Sequence, residues 1–203
     1  MFQIDKDEPH YFTLAKSRVK LPKVKNAWSE ESIISIRAEL REDILNREQK
    51  NLCAYCEKKI SSNPNISNID HFKTRNLFPE KTLDYNNLLV SCNAKDRCST
   101  LKDNNKSLLK RKEDYENTVN PTIENPNEFF DYLLSGEIVP LNQKAQFTIE
   151  IFNLNHQSLY DERKILADTL KYCPDLSLDE IYDNFGHEFK SFIQNIYPKL
   201  KEL

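Results

Sequence analysis

The sequence predicts an α+β fold in which a small metal-stapled core lies between an N-terminal helix and a mainly helical C-terminal region. Three observations predict it. Four of the five cysteines fall within one stretch, 53–104, as the pairs Cys53-x2-Cys56 and Cys92-x5-Cys98, with an Asp70-His71 doublet between them. Ahead of that stretch apolar residues recur at helical spacing, and behind it helical stripes and a capping signal dominate. The chain divides accordingly into 1–52, an N-terminal segment and helix; 53–118, the core; and 119–203, a hairpin and helical region.

Residues 1–27 read as irregular, with Pro9, Pro22 and a basic patch of Lys16, Arg18, Lys20, Lys23 and Lys25. A solvated charge run is the bland reading of that patch, and phosphate contact is the alternative. From Ser29 to Gln49 the apolar residues Ile33, Ile36, Leu40 and Ile44, with Glu30 and Glu31 in the first turn, predict one amphipathic helix delivering the chain to Cys53. The run SSNPNISN is turn chemistry around Pro64, after which Ile69 to Phe72 forms a short strand. On an ideal strand Asp70 and His71 point to opposite faces, so a shared site asks for some departure from regular pleating.

Leu83 to Val90 continues as extended or loop structure, and Cys92 to Glu116 includes a helix carrying Lys102, Lys106, Lys110 and Arg111. Asn120 to Asn127 reads as a linker. Phe129 to Val139, with Gly136 inside it, suits a hairpin, although Asn125-x-x-Glu128 equally fits a helix start. Leu159, Leu166 and Leu170 mark a helix. Ser177-x-x-Glu180 is a capping box opening a further one, with Ile181, Phe185, Phe189, Ile193, Ile196 and Leu200 on one stripe.

Composition narrows the function classes. With 203 residues, 30% charged and 38% hydrophobic, the chain is long enough to bury a core, and no apolar run approaches the ~18 residues that span a bilayer. MFQIDKDEPHYF lacks the basic head and apolar body of a secretory signal, so the chain is read as cytoplasmic, with no membrane partner. A net charge of -3 is unlike a protein that grips nucleic acid unaided, so its basic residues are segregated or a partner supplies grip.

An odd cysteine count in a reducing compartment argues against a disulfide framework and for ligation by four thiols, leaving Cys173 as a buried or half-buried thiol. Cys53-x2-Cys56 has knuckle spacing that brings both sulfurs to one ion, and a second pair closes a tetrahedral zinc site. The longer x5 loop, 93–97, must bulge outward. Four reduced cysteines packed as small hydrophobes are the alternative, which their polar neighbours weaken.

With IDHF at 69–72, YNNLL at 85–89 and the second cysteine pair followed by Lys102, the stretch resembles an HNH (ββα-metal) nuclease. LREDILNREQKNLCAYCEKKI before it, and GEIVP and QFTIEIFNLNHQSLYDERK after it, are similar to the HNH subunit of Septu anti-phage systems (PtuB-like), which also serves some retrons as effector nuclease. The resemblance runs from about Ile4 to Lys164. It implies that Asp70 holds a catalytic ion and His71 is the general base, whose neutral imidazole takes a proton from water. A carboxylate ligand favours Mg2+ or Mn2+. A core histidine and a turn aspartate are the bland alternative.

Asn87 matches the middle asparagine of the motif, which implies a loop-tying role that orients His71, with a plain turn asparagine as alternative. The pattern departs at its third position, where Ser99 stands in place of His or Asn. Asp103, one helical turn on, is the other candidate ligand. Lys102 corresponds to the motif lysine, and Lys73 and Arg75 follow the doublet where the family also carries basic residues; phosphate contact or plain surface charge are their two readings. His10, His156 and His187 read as structural or surface residues.

Two functions compete. The first is a metal-dependent HNH endonuclease cutting DNA or RNA as effector of a defence complex. The resemblance implies a PtuA-like ATPase partner and, where the system is a retron, a reverse transcriptase. The second is a zinc module without catalysis, an adaptor for nucleic acid or protein.

Overall fold

The computed structural model describes residues 1–105 and 107–202, so Lys106, expected on a helix, lies outside the described residues. The chain is α+β, with eight α-helices and two small antiparallel sheets among the described residues. None of those helices is long and apolar enough to cross a membrane.

The N-terminal segment is more ordered than its sequence promised. α1, His10–Ser17, follows Pro9 and buries Phe12 and Ala15. Phe12, Ala15 and Val19, all buried, have the 3 and 4 spacing that was its signal. The single helix expected over 29–49 is broken into α2, Glu31–Ile34, α3, Arg37–Asp43, and a π-helical turn, Ile44–Glu48. Ile33, Leu40 and Ile44 still face the core, because the break re-aims the helix without moving its apolar stripe.

The π turn has a use. It places Gln49, fully buried, against the central ribbon, where Nε2 donates to the carbonyls of Leu52 and Val90 (both 2.8 Å) and Oε1 accepts from the Val90 N–H at 2.8 Å. One side chain thereby satisfies strand-edge groups that burial would otherwise leave unpaired.

That ribbon is β1, Ser67–His71, paired antiparallel with β2, Leu88–Cys92, in the register Ser67↔Cys92 to His71↔Leu88. The preceding turn is closed by the Asn63 side chain, which accepts from the Asn65 N–H at 2.9 Å. All of β2 is buried, as its apolar run LLV requires. α4, Cys98–Lys102, follows β2, and ends before Lys110 and Arg111, which the expected helix was to carry along with Lys102.

Beyond the core, β3, Phe130–Tyr132, and β4, Ile138–Pro140, form the expected hairpin, while Asn125 caps a 3-10 turn at Pro126–Glu128 ahead of it. α5, Gln143–Phe152, is capped by Asn142, whose side chain accepts from the Ala145 N–H at 2.9 Å. α6, Gln157–Leu170, packs next. The Ser177 capping box opens α7, Leu178–Phe185. The stripe read as one helix is cut at Gly186 and Phe189, both at positive φ (79° and 55°), and resumes as α8, Lys190–Lys201. The cut lets the Phe189 N–H reach the Glu57 carbonyl (3.2 Å) and the Ser191 N–H reach Glu57 Oε2 (2.8 Å), tying α8 to the cysteine knuckle.

Candidate metal centre and catalytic cleft

Cys53 and Cys56 lie on a tight knuckle whose turn puts Glu57 at φ 60°, Cys92 ends β2, and Cys98 opens α4 at φ 55°. The four sulfurs lie within 4.8 Å of one another, with Cys53 to Cys98 at 3.8 Å and Cys56 to Cys92 at 3.9 Å. A tetrahedron of thiolates ~2.3 Å from zinc has edges of about 3.8 Å, so the set fits that ion. The Cys92 N–H points at Cys53 Sγ from 3.3 Å, and such a donor favours a thiolate there. Among the described residues this is the one group of three or more Cys, His, Asp or Glu side chains close enough to hold a metal.

The knuckle also carries Tyr55. Its ring stacks on Phe152 of α5 (centroids 4.0 Å apart), and its hydroxyl donates to Asp70 Oδ2. Burial and the Asp70 charge push the Tyr55 phenol far up, so it stays a donor. The sulfur cluster therefore grips Asp70 through one residue between its first two ligands. Asp70 Oδ1 in turn lies 3.0 Å from Lys102 Nζ.

His71 ends β1 and faces the other way. Its Nε2 lies 2.9 Å from the Thr82 carbonyl, which can only accept, so Nε2 carries the proton and Nδ1 keeps the lone pair. Trp28 stands edge-on to the ring at 4.7 Å between centroids, with the Arg37 guanidinium on the Trp28 ring at 4.9 Å. Burial pushes His71 down to about 4, against the opposing pull of the Thr82 bond and Asp70, so the imidazole is neutral at pH 7.

Asn87 sits behind this arrangement. Its Oδ1 accepts from the Lys73 N–H (2.7 Å), and Nδ2 donates to the carbonyls of Lys73 (2.9 Å) and Lys81 (3.0 Å). The loop that follows His71 is thus closed over itself by one amide. Asn87→Ala orphans three buried or half-buried backbone groups and is expected to cost about 2–3 kcal/mol in urea unfolding.

Asp70, His71, Arg75, Lys102 and Asp103 all line one cleft of about 690 Å³, together with Lys25, Trp28, Asn68 and Lys110. Asp70 and His71 leave a regularly paired strand in opposite directions, yet meet in the cleft because it wraps the end of β1. Ser99 is not among the lining residues. It is buried, with its N–H on Ser91 Oγ (3.2 Å) and its hydroxyl 3.4 Å from the Asn68 amide. Lys73 also lies outside the lining, its ammonium 5.1 Å from the centre of the Phe78 ring. Lys102 is buried, and its ammonium binds protein oxygens. Asp103 is pushed up to about 6 by burial and the Asp70 charge, against the pull of Lys102.

Trp28, Asn68, Thr82 and Lys110 were missed by sequence reasoning. Only Trp28, the single tryptophan of the chain, carried any signal, as a large apolar residue inside a basic segment.

A two-stranded antiparallel ribbon followed by a short helix, with four clustered thiols and an Asp-His doublet, is consistent with a zinc-stapled HNH core. No family model matches the chain. It is 27% identical over 139 residues to the Septu protein PtuB of Bacillus thuringiensis, covering 67% of this chain and 49% of that protein. It is 31% identical over 142 residues to a Vibrio cholerae serotype O1 biovar El Tor protein described as "Retron Vc95 putative HNH endonuclease", covering 64% of each. The match thus spans about half of the first relative and less than two thirds of the second. Both likenesses are to proteins described as PtuB or as a putative HNH endonuclease.

Proposed function

We propose that the chain is a metal-dependent HNH endonuclease that hydrolyses phosphodiester bonds of DNA or RNA as the effector of a defence complex. The observation that carries this reading is the His71 ring: a neutral imidazole whose Nε2 is committed to the Thr82 carbonyl, leaving Nδ1 as a base in a polar cleft beside Asp70. In this role His71 takes the proton from water as it attacks phosphorus. Lys25, Arg75 and Lys110 on the cleft walls meet the phosphates flanking the cut, with Lys73 nearby.

Asp70 and Asp103 offer hard oxygen donors of the kind Mg2+ or Mn2+ takes, and Ser99 is displaced from that role by its bonds to Asn68 and Ser91. A bound ion supplies Lewis-acid polarisation of the phosphate. Its zinc counterpart on Cys53, Cys56, Cys92 and Cys98 is structural. The protein works in the cytoplasm beside a PtuA-like ATPase, and in a retron setting beside a reverse transcriptase. The net charge of -3 supports a partner's help in holding nucleic acid.

The test is cleavage of plasmid, single-stranded DNA and RNA by the purified chain, alone and with its ATPase, in Mg2+ or Mn2+. His71→Ala is expected to lower the rate by about 10²–10⁴ with zinc content unchanged. Equal cutting by that variant would overturn the reading. One observation favours a second reading, an adaptor without catalysis: the place between Asp70 and Asp103 is held by Lys102. Absence of cleavage on all substrates with the partner present would select it.

A further inference from the structure

The environment of Lys102 is that of a bound cation. Its ammonium lies 3.0 Å from Asp70 Oδ1, 2.7 Å from Asp103 Oδ1, 2.8 Å from the His71 carbonyl and 3.4 Å from the Phe72 carbonyl. The side chain is wholly buried, although the cleft beside it is open and polar. Asp70 is buried and Asp103 half exposed, and with Lys102 between them their two negative charges are bridged by one ammonium instead of facing each other unscreened. Those four oxygens are the ones on which a divalent ion would draw.

The geometry points to Lys102 as an internal competitor for the catalytic cation: its ammonium holds the Asp70–Asp103 position, and a divalent ion loads there only as that ammonium leaves. The inference rests on the reading of Asp70 as a cation ligand and adds what sets the affinity of that site. Ammonium contacts of 2.7–3.0 Å to both carboxylates exceed the ~2.0–2.2 Å reach of Mg2+ or Mn2+, so the two cations do not share this arrangement unchanged. A second positive charge a few ångströms away also weakens binding of the first. The site is accordingly stable without metal and selective against casual loading, since any entering ion must outbid a tethered one.

The competition is directional, and a role as scaffold predicts the reverse sign. If Lys102 merely supported the carboxylates, its loss would loosen them and weaken metal binding. If it competes, its loss leaves two unneutralised carboxylates and strengthens binding.

The experiment is titration of the zinc-loaded chain with Mn2+, without nucleic acid, followed by the electron paramagnetic resonance of free Mn2+. Lys102→Met is expected to bind Mn2+ at least tenfold tighter than the wild type, a floor set well below the roughly thousandfold that one unit charge about 4 Å away supplies at an effective dielectric near 20. The gain should vanish in the Lys102→Met, Asp103→Asn double variant. Unchanged or weaker binding by Lys102→Met overturns the inference. Circular dichroism and zinc content report whether the variant folds. If it does not, the wild type answers instead: acetylation of Lys102, read by peptide mass spectrometry, should rise several-fold with Mn2+ relative to sodium chloride of equal ionic strength, and unchanged labelling overturns the inference. Because no substrate is present, a variant that gains Mn2+ affinity in a protein that cuts nothing keeps this inference and removes the nuclease reading.

Discussion

Stripping the sulfur-bound metal is expected to lower the thermal midpoint by roughly 10–20 °C, the equivalent of about 5 kcal/mol at about 2–4 °C per kcal/mol for a chain of this size. Cys98→Ser should do nearly the same. The cluster cross-links a knuckle, the end of β2 and the start of α4, so without it three elements lose their common anchor. Cys98 is also held at φ 55°, a conformation an L-residue adopts at a cost that a metal bond there would offset. The effect is smaller than the apparent ~10–16 kcal/mol of zinc-finger peptides, because the chain also buries a core of apolar side chains, Leu40, Ile44, Leu88 and Leu89 among them. Elemental analysis before and after chelation, with calorimetry of both forms, checks it. A chain that carries no zinc, or that melts alike with and without it, contradicts the assignment. Activity should fall with stability, since Tyr55, between the first two ligands, holds Asp70 Oδ2.

The parts legible in the sequence are those fixed by local spacing. Two cysteine pairs predicted one cluster, apolar periodicity marked Ile33, Leu40 and Ile44 as a buried stripe, and Ser177 with Glu180 marked a helix start; all three are present. What was illegible depends on partners far away in the chain. The π turn that ends the N-terminal helix goes with the demand that Gln49 meet Val90, and the cut between α7 and α8 with the demand that Phe189 and Ser191 meet Glu57. Neither demand leaves a periodic trace. The site behaves alike. The doublet was readable as chemistry, but its proton-fixing partner is a backbone carbonyl, at Thr82, which has no sequence signature. Lys102 was readable as a basic residue near the site; only the packing of α4 against β2 and α5 decides that its ammonium turns inward to Asp70.

Gly136→Ala is expected to cost about 4 kcal/mol or more and to leave most of the protein insoluble, whereas Gly186→Ala should cost only about 1 kcal/mol. Both glycines have positive φ, 96° and 79°, so backbone strain alone does not separate them. Space does. A Cβ at Gly136 would stand 2.3 Å from the Tyr160 carbonyl oxygen and 2.8 Å from the Lys164 nitrogen, both backbone atoms of α6, while a Cβ at Gly186 meets nothing within 4 Å. The hairpin must therefore lift off α6, and what it lifts from is a buried cation. Arg163 donates from Nε to the Gly136 carbonyl (2.6 Å), from both terminal nitrogens to the Leu154 carbonyl (3.1 Å), and to Asn155 Oδ1 (3.1 Å). Asn155 in turn exchanges two hydrogen bonds with the Ile138 backbone on β4, at 2.9 and 2.8 Å. Separating these groups strands a charge in the interior, a loss of about 3–5 kcal/mol where one partner is removed from such a network. Soluble yield and urea midpoints of the two variants, measured side by side, decide the matter. Equal stability would mean that the GEIVP turn and the NLNHQSLYDERK segment are not locked together through Gly136 and Arg163.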